Sequence, residues 1–289
     1  MIKLLVTGAN GQLGSDLKGL ANNLPDIKFT FIDLDELDIS NSDETNNYFA
    51  SNTFNYVVNC AAYTAVDNAE KDKEKAFKVN ALAVKNLISG IQAYQTKLVH
   101  ISTDYVFRGD HNSPYPEDFP TDPQSNYGKS KLAGEKEALM YSNSMIIRTS
   151  WLYSSYGHNF VKSILKKGRE NEELKVVNDQ LGSPTYSGHL AEAIMQIINS
   201  DIQKNISFTP GIFHFTNMGV CSWYEFALKI KEYANLPCRI QAVLTKHYPL
   251  PAKRPAYSVL SKEKIISTYK LNIPVWEEGL RDCLRRLNL

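Results

Sequence analysis

The chain has 289 residues, 43% of them hydrophobic, and its 32 Lys and Arg residues nearly balance 31 Asp and Glu residues, leaving a formal charge of +1. A chain of this length can bury one large core or two unequal ones, and we expect two lobes. The balanced charge argues against a surface built to bind nucleic acid and favours a small-molecule partner.

The hydrophobic pattern argues against membrane targeting. The strand-like run IKLLV starts at Ile2, which leaves no room for a signal peptide, and no later run approaches the length of a membrane span. We therefore expect a cytoplasmic protein with no membrane partner.

The spacing of cysteine and histidine argues against a metal site. The cysteines show no C-x-x-C spacing, and the six histidines show no H-x-x-x-H or H-E-x-x-H pairing. We expect reduced, mostly buried thiols and no catalytic metal. The four cysteines are Cys60, Cys221, Cys238 and Cys283.

The first half of the chain alternates short apolar runs with longer helical stretches. Parallel strands are predicted because each apolar run is followed by a helical pattern, and the runs are apolar almost throughout, as in a sheet covered on both faces. This predicts a Rossmann-type, doubly wound α/β fold. The predicted strands are 2–7, 28–33, 56–61, 97–102 and 145–150, and the predicted helices are 13–23, 43–51, 68–95 and 125–142.

Beyond Trp151 the alternation ends, which predicts a smaller α/β lobe. We assign residues 1–150, with a returning segment at about 172–203, to an NAD(P)-binding Rossmann domain, and residues 151–171 and 204–289 to a substrate-binding domain. The four prolines between Arg108 and Asn126 predict an ordered loop over the carboxyl ends of the strands, where ligands bind in such sheets. Further elements are predicted as helices at 158–170, 187–199 and 222–234 and as a strand at 212–216.

The segment TGANGQLG follows the first strand and opens a helix, with Gly8, Gly11 and Gly14 in a G-x-x-G-x-x-G pattern. Glycines permit a tight turn and let the backbone approach a pyrophosphate at the positive end of the helix. Asp33 ends the second strand, where a carboxylate can accept hydrogen bonds from the adenosine ribose, and no arginine stands beside it, which favours NADH. The competing interpretations are a simple glycine turn and a carboxylate that begins a loop.

Tyr127 and Lys131 lie four residues apart on a predicted helix, so they share one face. A nearby ammonium lowers the pKa of a phenol, which predicts a proton donor or acceptor useful near neutral pH. The polar segment STDYVF ends the fourth strand, so Thr103 could hydrogen-bond a carbonyl that Tyr127 protonates. The competing interpretation is a surface helix pair.

Seven motifs, spread over nearly the whole chain, resemble those of a known enzyme family. They are TGANGQLG, NCAAYTAVDNAE, ISTDYVF, NYGKSKLAGE, RTSWLY, NDQLGSPT and AKRPAYSVL. With them the chain resembles an extended short-chain dehydrogenase/reductase and, within that superfamily, the dTDP-4-dehydrorhamnose reductase family. The resemblance implies reduction of the 4-keto group of dTDP-4-dehydro-β-L-rhamnose with NADPH or NADH, for cell-surface polysaccharide.

The same resemblance implies a role for individual residues. Thr103, Tyr127 and Lys131 would be catalytic, and Lys131 would also hold the nicotinamide ribose. Arg254 is a candidate for the nucleotide diphosphate, because a guanidinium can pair with phosphate through two hydrogen bonds. The sugar would face Thr103, Asp104, Tyr127 and Trp151. Together with the glycine turn, the cofactor would contact Gly11, Gln12, Leu13, Asp33, Asp38, Ile39, Ala61, Ala62, Tyr63, Tyr127 and Lys131.

Members of the family are described with Mg²⁺ at an acidic subunit contact, and the matching positions here are Asp16 and His189. We therefore expect no strong magnesium site, while a homodimer remains compatible with the resemblance. The choice between NADPH and NADH stays open, because Asp33 favours NADH and the family uses both.

Three alternatives remain. A related 4,6-dehydratase would read S-T-D-E-V-Y, but Tyr105 stands where its glutamate base would be. A reductase of a closely related nucleotide-linked 4-keto-deoxysugar, such as a spore or capsule deoxyhexose, is a second possibility. A non-catalytic NADP-binding regulatory subunit is the third, and the intact Tyr127, Lys131 and Thr103 argue against lost catalysis.

Overall fold

Twelve strands and ten α-helices make up the computed structural model, which describes residues 1–289. The strands are β1 Ile2–Thr7, β2 Ile27–Ile32, β3 Tyr56–Asn59, β4 Lys97–Thr103, β5 Ser144–Thr149, β6 Leu152–Tyr153, β7 Glu173–Val177, β8 Leu181–Gly182, β9 Thr185–Tyr186, β10 Gly211–His214, β11 Cys221–Ser222 and β12 Arg239–Val243. The helices are α1 Gln12–Ala21, α2 Ser42–Ser51, α3 Lys73–Phe77, α4 Ala83–Ile91, α5 Asn126–Leu139, α6 Phe160–Glu170, α7 Ser187–Ile202, α8 Trp223–Tyr233, α9 Glu263–Tyr269 and α10 Trp276–Arg286. A π-helical turn, Lys78–Leu82, joins α3 to α4.

Six strands form one parallel sheet in the order β10-β5-β4-β3-β1-β2. Alternate side chains point to opposite faces, so Leu4 and Val6 pack beneath α1, α7 and α9, while Leu5 packs beneath α2 and α4. Both faces are therefore covered by helices, and the predicted doubly wound α/β fold is confirmed. The five strands predicted in the first half match β1 to β5 within a few residues.

The second lobe is built on a separate core of 18 buried residues. Helices α6, α8 and α10 pack there against β7 and β12, which form a two-stranded parallel sheet. Phe226 is fully buried at the centre and contacts the rings of Tyr153, Phe160 and Trp276. Strands β7 and β12 and helix α10 of this lobe were not predicted, because polar residues interrupt the apolar pattern of each.

Two strands pair within a different lobe from the one to which the predicted domain boundaries assign them. Strand β7 falls inside the segment 172–203 that we assigned to the first domain, yet it pairs with β12 in the second lobe. Strand β10 falls inside 204–289, yet it extends the main sheet beside β5. Helix α7 packs against the main sheet with α1. The assignment of the two domains otherwise stays a prediction.

No helix is both long enough and apolar enough to span a membrane. The four cysteines are unpaired, and three of them are buried.

Candidate active site

The glycine turn lies at the carboxyl edge of the sheet, between β1 and β3. Gly8 adopts φ +65°, and a Cβ at this position would lie 2.6 Å from the Ala61 nitrogen. A Cβ at Gly14 would lie 2.4 Å from the Gly8 carbonyl oxygen. Helix α1 begins at Gln12 with no side-chain cap on its first turn, so its N–H groups are open to an anion. The turn therefore fits a dinucleotide pyrophosphate.

Asp33 lies beside this turn, just after β2. Its Oδ2 accepts a 2.8 Å hydrogen bond from the Asn10 backbone N–H, and its Oδ1 accepts one of 2.8 Å from the Leu34 backbone N–H. The carboxylate thus fixes the glycine turn from the side on which an adenosine ribose would lie. Its role in binding that ribose stays a prediction.

Asp38 and Ile39 form the next part of the rim. The Asp38 carboxylate accepts hydrogen bonds from the Ser40 hydroxyl at 2.6 Å and the Ser40 N–H at 2.9 Å, which lowers the pKa of Asp38. The Ile39 side chain is buried in the core, while its carbonyl accepts from Asn86 at 3.1 Å. Leu13 is buried as well, so Ile39 and Leu13 can offer a cofactor little beyond their backbone atoms.

Gln12 makes a contact between the lobes. Its Oε1 accepts a 3.0 Å hydrogen bond from Asn159, which also caps α6. The N-terminal end of α1 is thereby tied to the start of the second lobe.

Ala61, Ala62 and Tyr63 follow β3, and Asn80 holds this segment in place. The Asn80 amide accepts from the Tyr63 N–H at 2.8 Å and donates to the Tyr63 carbonyl at 3.1 Å. It also donates to the Ser130 hydroxyl at 2.9 Å, on the helix that carries Tyr127 and Lys131. Asn80 is buried in the π-helical turn, and sequence reasoning missed it because a lone Asn in a helical stretch carries no signal.

Thr103 and Asp104 occupy the end of β4. The Thr103 hydroxyl donates to Asp104 Oδ1 at 3.0 Å and accepts from the Tyr105 N–H at 3.3 Å. Asp104 Oδ2 is buried without a hydrogen-bond partner. Burial raises the pKa of Asp104 to about 6, although the nearby Ser258 and Thr103 hydroxyls oppose that shift.

Tyr127 and Lys131 share the inner face of α5, against β4. The Tyr127 ring meets the Tyr105 ring edge-on, with centroids 5.4 Å apart. The Lys131 ammonium donates to the Ile101 carbonyl at 2.6 Å. Burial lowers the pKa of Lys131 to about 8, while Glu135 and the Cys60 thiol act in the opposite direction. The structure thus brings Thr103, Tyr127 and Lys131 together at the end of β4.

The expected effect of Lys131 on Tyr127 is wrong for the protein alone. Burial raises the pKa of Tyr127 to about 12; the Thr103 hydroxyl opposes this shift and the Asp104 carboxylate adds to it. The Lys131 ammonium does not lower the pKa of that phenol, because it points to the β4 backbone. Tyr127 is therefore protonated at neutral pH.

A buried ion pair connects α5 to the strands beneath it, β4 and β5. The Arg148 guanidinium donates to both Glu135 oxygens, at 2.9 and 2.7 Å, and Ser102 donates to Glu135 at 2.5 Å. Arg148 and Glu135 are 2% and 1% exposed, so the pair is desolvated and locks α5 to β4 and β5.

Arg254 reaches the first lobe. Its Nη2 forms a 2.6 Å ion pair with Asp67 Oδ2, and its Nη1 is buried without a partner. Burial raises the pKa of Tyr105, and the nearby Arg254 guanidinium opposes that shift, which places the guanidinium beside the site.

Trp151 follows β5 in a left-handed conformation, φ +50°. Its ring stacks on Trp223 with centroids 3.6 Å apart and an interplanar angle of 10°. A Cβ at Gly182 would lie 2.5 Å from the Trp151 ring. These contacts give Trp151 a packing role, and a contact with the sugar stays a prediction.

Asp16 and His189, the positions considered for magnesium, have protein partners. Asp16 accepts from Ser154 at 2.7 Å and pairs with Arg286 at 2.9 Å. His189 contacts Asp282 at 3.1 Å and Asn217 at 2.8 Å. No group of three or more His, Cys, Asp or Glu side chains is arranged to hold a metal ion.

Comparison with known proteins agrees with this geometry along the whole chain. The family model described as RmlD substrate binding domain matches residues 2–289. The spore coat polysaccharide biosynthesis protein SpsK of Bacillus subtilis (strain 168) is 42% identical, over 99% of this chain and 98% of that protein. A dTDP-4-dehydrorhamnose reductase of Aggregatibacter actinomycetemcomitans is 39% identical over 98% of both chains.

A solved structure gives the same result. The dTDP-4-dehydrorhamnose reductase of Bacillus anthracis str. Ames, crystallised in complex with NADP, superposes with a TM-score of 0.93 at 38% identity, covering 99% of this chain and 100% of that chain. The chain therefore belongs to the dTDP-4-dehydrorhamnose reductase family.

Proposed function

We propose that this protein reduces the 4-keto group of dTDP-4-dehydro-β-L-rhamnose to give dTDP-L-rhamnose for cell-surface polysaccharide, using NADPH or NADH. The observation that carries the proposal is the grouping of Tyr127, Thr103 and Lys131 at the carboxyl end of β4, beside the glycine turn. Family membership over the whole chain supports the same substrate class.

The protonated Tyr127 suits reduction. Since its pKa is about 12, the phenol holds its proton at neutral pH and can donate it to the oxygen of an incoming ketone. The Thr103 hydroxyl next to it can donate a hydrogen bond to the same oxygen as negative charge develops. A bound nicotinamide supplies the hydride to carbon C4. After the proton has left, solvent returns one to Tyr127, while Lys131 would hold the nicotinamide ribose.

The cofactor residues fit a dinucleotide. The uncapped first turn of α1 and the close approach of Gly8 to Ala61 leave room for a pyrophosphate against backbone N–H groups. The Asp33 carboxylate bonds to the Asn10 N–H of this turn, from where it would accept hydrogen bonds from the adenosine ribose. Asn80 ties the Tyr63 segment to α5 through its hydrogen bonds to the Tyr63 backbone and the Ser130 hydroxyl.

A related 4-keto-deoxysugar is a second candidate substrate. The relative SpsK, 42% identical over nearly the full length, bears a name that refers to spore coat polysaccharide. The same three catalytic groups would reduce any 4-keto sugar presented in the same pose, so the choice lies in the residues that contact the sugar, such as Asp104 and Trp151.

The test supplies purified protein with enzymatically generated dTDP-4-dehydro-β-L-rhamnose and either NADPH or NADH. Loss of nicotinamide absorbance together with mass-spectrometric detection of dTDP-L-rhamnose supports the proposal, and Tyr127→Phe serves as the matched inactive control. A stable co-purifying partner and no turnover with either cofactor would instead favour a regulatory subunit. Turnover of a related 4-keto sugar alone would move the assignment to the second candidate.

A further inference from the structure

Two carboxylates on one short turn bond to opposite sides of the active site. The 3₁₀ turn Asn68–Glu70 follows Asp67, so Asp67 and Glu70 lie three residues apart. Asp67 bonds to the second lobe, and Glu70 bonds to the helix that carries Tyr127. Neither residue has a role in the chemistry described above.

Asp67 holds a segment of the second lobe by two contacts. Its Oδ2 pairs with Arg254 Nη2 at 2.6 Å, and its Oδ1 accepts a 3.1 Å hydrogen bond from the Ala252 N–H. The same carboxylate therefore fixes both the backbone of the arginine segment and the direction of the guanidinium. The preceding segment from Lys246 to Pro251 is exposed, while the residues that follow Arg254 are held by backbone hydrogen bonds of Ala256 and Tyr257.

The Arg254 nitrogen that does not bond to Asp67 lies at the candidate active site. Arg254 Nη1 is buried and has no hydrogen-bond partner. The guanidinium is close enough to the Tyr105 hydroxyl to oppose the rise in its pKa, and the Tyr105 ring lies edge-on to Tyr127. With Nη2 held by Asp67, Nη1 lies on the side of Tyr105 without a partner, and a phosphate oxygen of the substrate would satisfy it.

Glu70 bonds to the other side of the active site, at the start of α5. Its Oε1 accepts from the Asn126 N–H at 2.8 Å, and its Oε2 accepts from the Asn126 amide at 3.2 Å. Asn126 is the first residue of α5, directly before Tyr127. A carboxylate at this end also favours the positive end of the helix. Substitutions of Glu70 and Asp67 can therefore be compared directly, because Glu70 bonds to α5 and Asp67 bonds to Arg254.

We propose that Asp67 is a positioning residue that orients Arg254 to bind the diphosphate of the nucleotide sugar. The inference rests on the proposed function, since it assumes a diphosphate-linked substrate. Asp67 itself does not touch the substrate and acts through Arg254. Its loss leaves the guanidinium with its charge but without its direction, so ground-state binding weakens while the proton transfer from Tyr127 is unaffected.

The experiment compares Asp67→Asn, Glu70→Gln and Glu74→Gln. Glu74 is an exposed carboxylate on the neighbouring α3 and serves as the control for a general loss of negative charge. We expect Asp67→Asn to raise the KM for the nucleotide sugar roughly three- to tenfold with unchanged kcat and unchanged KM for NADPH. Glu70→Gln should lower kcat with little change in that KM, and Glu74→Gln should match the parent.

A double-mutant cycle tests whether Asp67 acts through Arg254. In an Arg254→Met background, Asp67→Asn should add nothing to the KM, because the group that it orients is gone. An additive increase, an unchanged KM in the single variant or a tighter binding of substrate would overturn the proposal. Equal effects of Asp67→Asn and Glu70→Gln on KM and kcat would also overturn it, since they would indicate general damage to the turn.

Calorimetric binding of dTDP separates this inference from the proposed function. If the parent protein fails to reduce the 4-keto sugar, the proposed substrate is wrong, but weaker dTDP binding by Asp67→Asn would still support the orienting role. Equal dTDP binding by the parent and Asp67→Asn would reject the inference even if the parent is an active reductase.

Discussion

The Lys131 ammonium donates its hydrogen bond to the carbonyl of Ile101, one turn from the Tyr127 phenol on the same helix. A buried cation is therefore fixed to the backbone near the end of β4. The two side chains share a helix face, and we predict separable roles for them.

Substitution of the two residues should show this separation. Tyr127→Phe removes one hydroxyl from a similar ring, so cofactor affinity should persist while kcat falls by about 10²–10⁴, the usual contribution of a placed acid. Lys131→Met should lose both turnover and cofactor affinity. Fluorescence titration with NADPH, beside single-turnover reduction of the 4-keto sugar, measures both. Ketone reduction at the parental rate by Tyr127→Phe would contradict the catalytic role.

The stability of the protein should fall as Asp104 ionises. Burial raises the pKa of this carboxyl from 3.8 to about 6, so the folded protein holds the proton more tightly than the unfolded chain. The resulting stabilisation is complete below pH 3.8 and is lost as the pH rises through 6, by about 2–3 kcal/mol for a shift of this size.

Asp104→Asn should remove this loss. The variant should have a higher thermal midpoint than the parent at pH 8, and the difference should shrink as the pH falls toward 4, because the parental carboxyl is then neutral too. Thermal unfolding across this range measures the effect, with the exposed Asp110→Asn as the control. A difference that is independent of pH would show that Asp104 does not titrate as described.

Asp33 should govern the choice between the two nicotinamide cofactors. Asp33→Ala should weaken NADH binding more than NADPH binding, because only the unphosphorylated ribose offers two hydroxyls and the carboxylate repels a 2′-phosphate. Asp33→Asn is the matched control, since an amide oxygen can still accept from the Asn10 N–H and keep the glycine turn in place. Dissociation constants for both cofactors decide the matter, and equal losses would reject the assignment.

Trp151→Phe should lower the thermal midpoint. The loss of close stacking on Trp223 should cost about 1 kcal/mol, which corresponds to about 2–4 °C for a chain of this size. Trp223→Phe should lower the midpoint similarly, because it removes the same stack. If Trp151 also contacts the sugar, only the Trp151 variant will raise the KM for the nucleotide sugar. An unchanged midpoint in both variants would contradict the packing role.

Local signals in the sequence were sufficient for much of the fold and the cofactor edge. The apolar run of β1 followed by Gly8 and a helix predicts the phosphate turn, because strand, turn and helix each depend on neighbouring residues. The placement of Thr103 at the end of β4 follows from the same reasoning. The closeness of Tyr127 to Thr103 depends on how α5 packs against β4, which a sequence pattern can only suggest.

Contacts between distant segments could not be predicted in this way. Asn80 bonds to both Tyr63 and Ser130, and Asp67 pairs with Arg254 far along the chain. Such pairs depend on how the lobes are arranged, and a single polar residue gives no periodic signal of its partner. The pKa of Tyr127 was mispredicted for the same reason, since desolvation depends on everything packed around the ring.

The place of β10 beside β5 constrains how the protein can be made. Until residue 214 has left the ribosome, a nascent chain that has formed β1 to β5 exposes the edge of β5, with its unpaired N–H and C=O groups. An open edge in a sheet of apolar strands invites pairing with other chains. A fragment ending at residue 150 should therefore aggregate, and chaperone binding during synthesis should be concentrated between the emergence of β5 and that of β10.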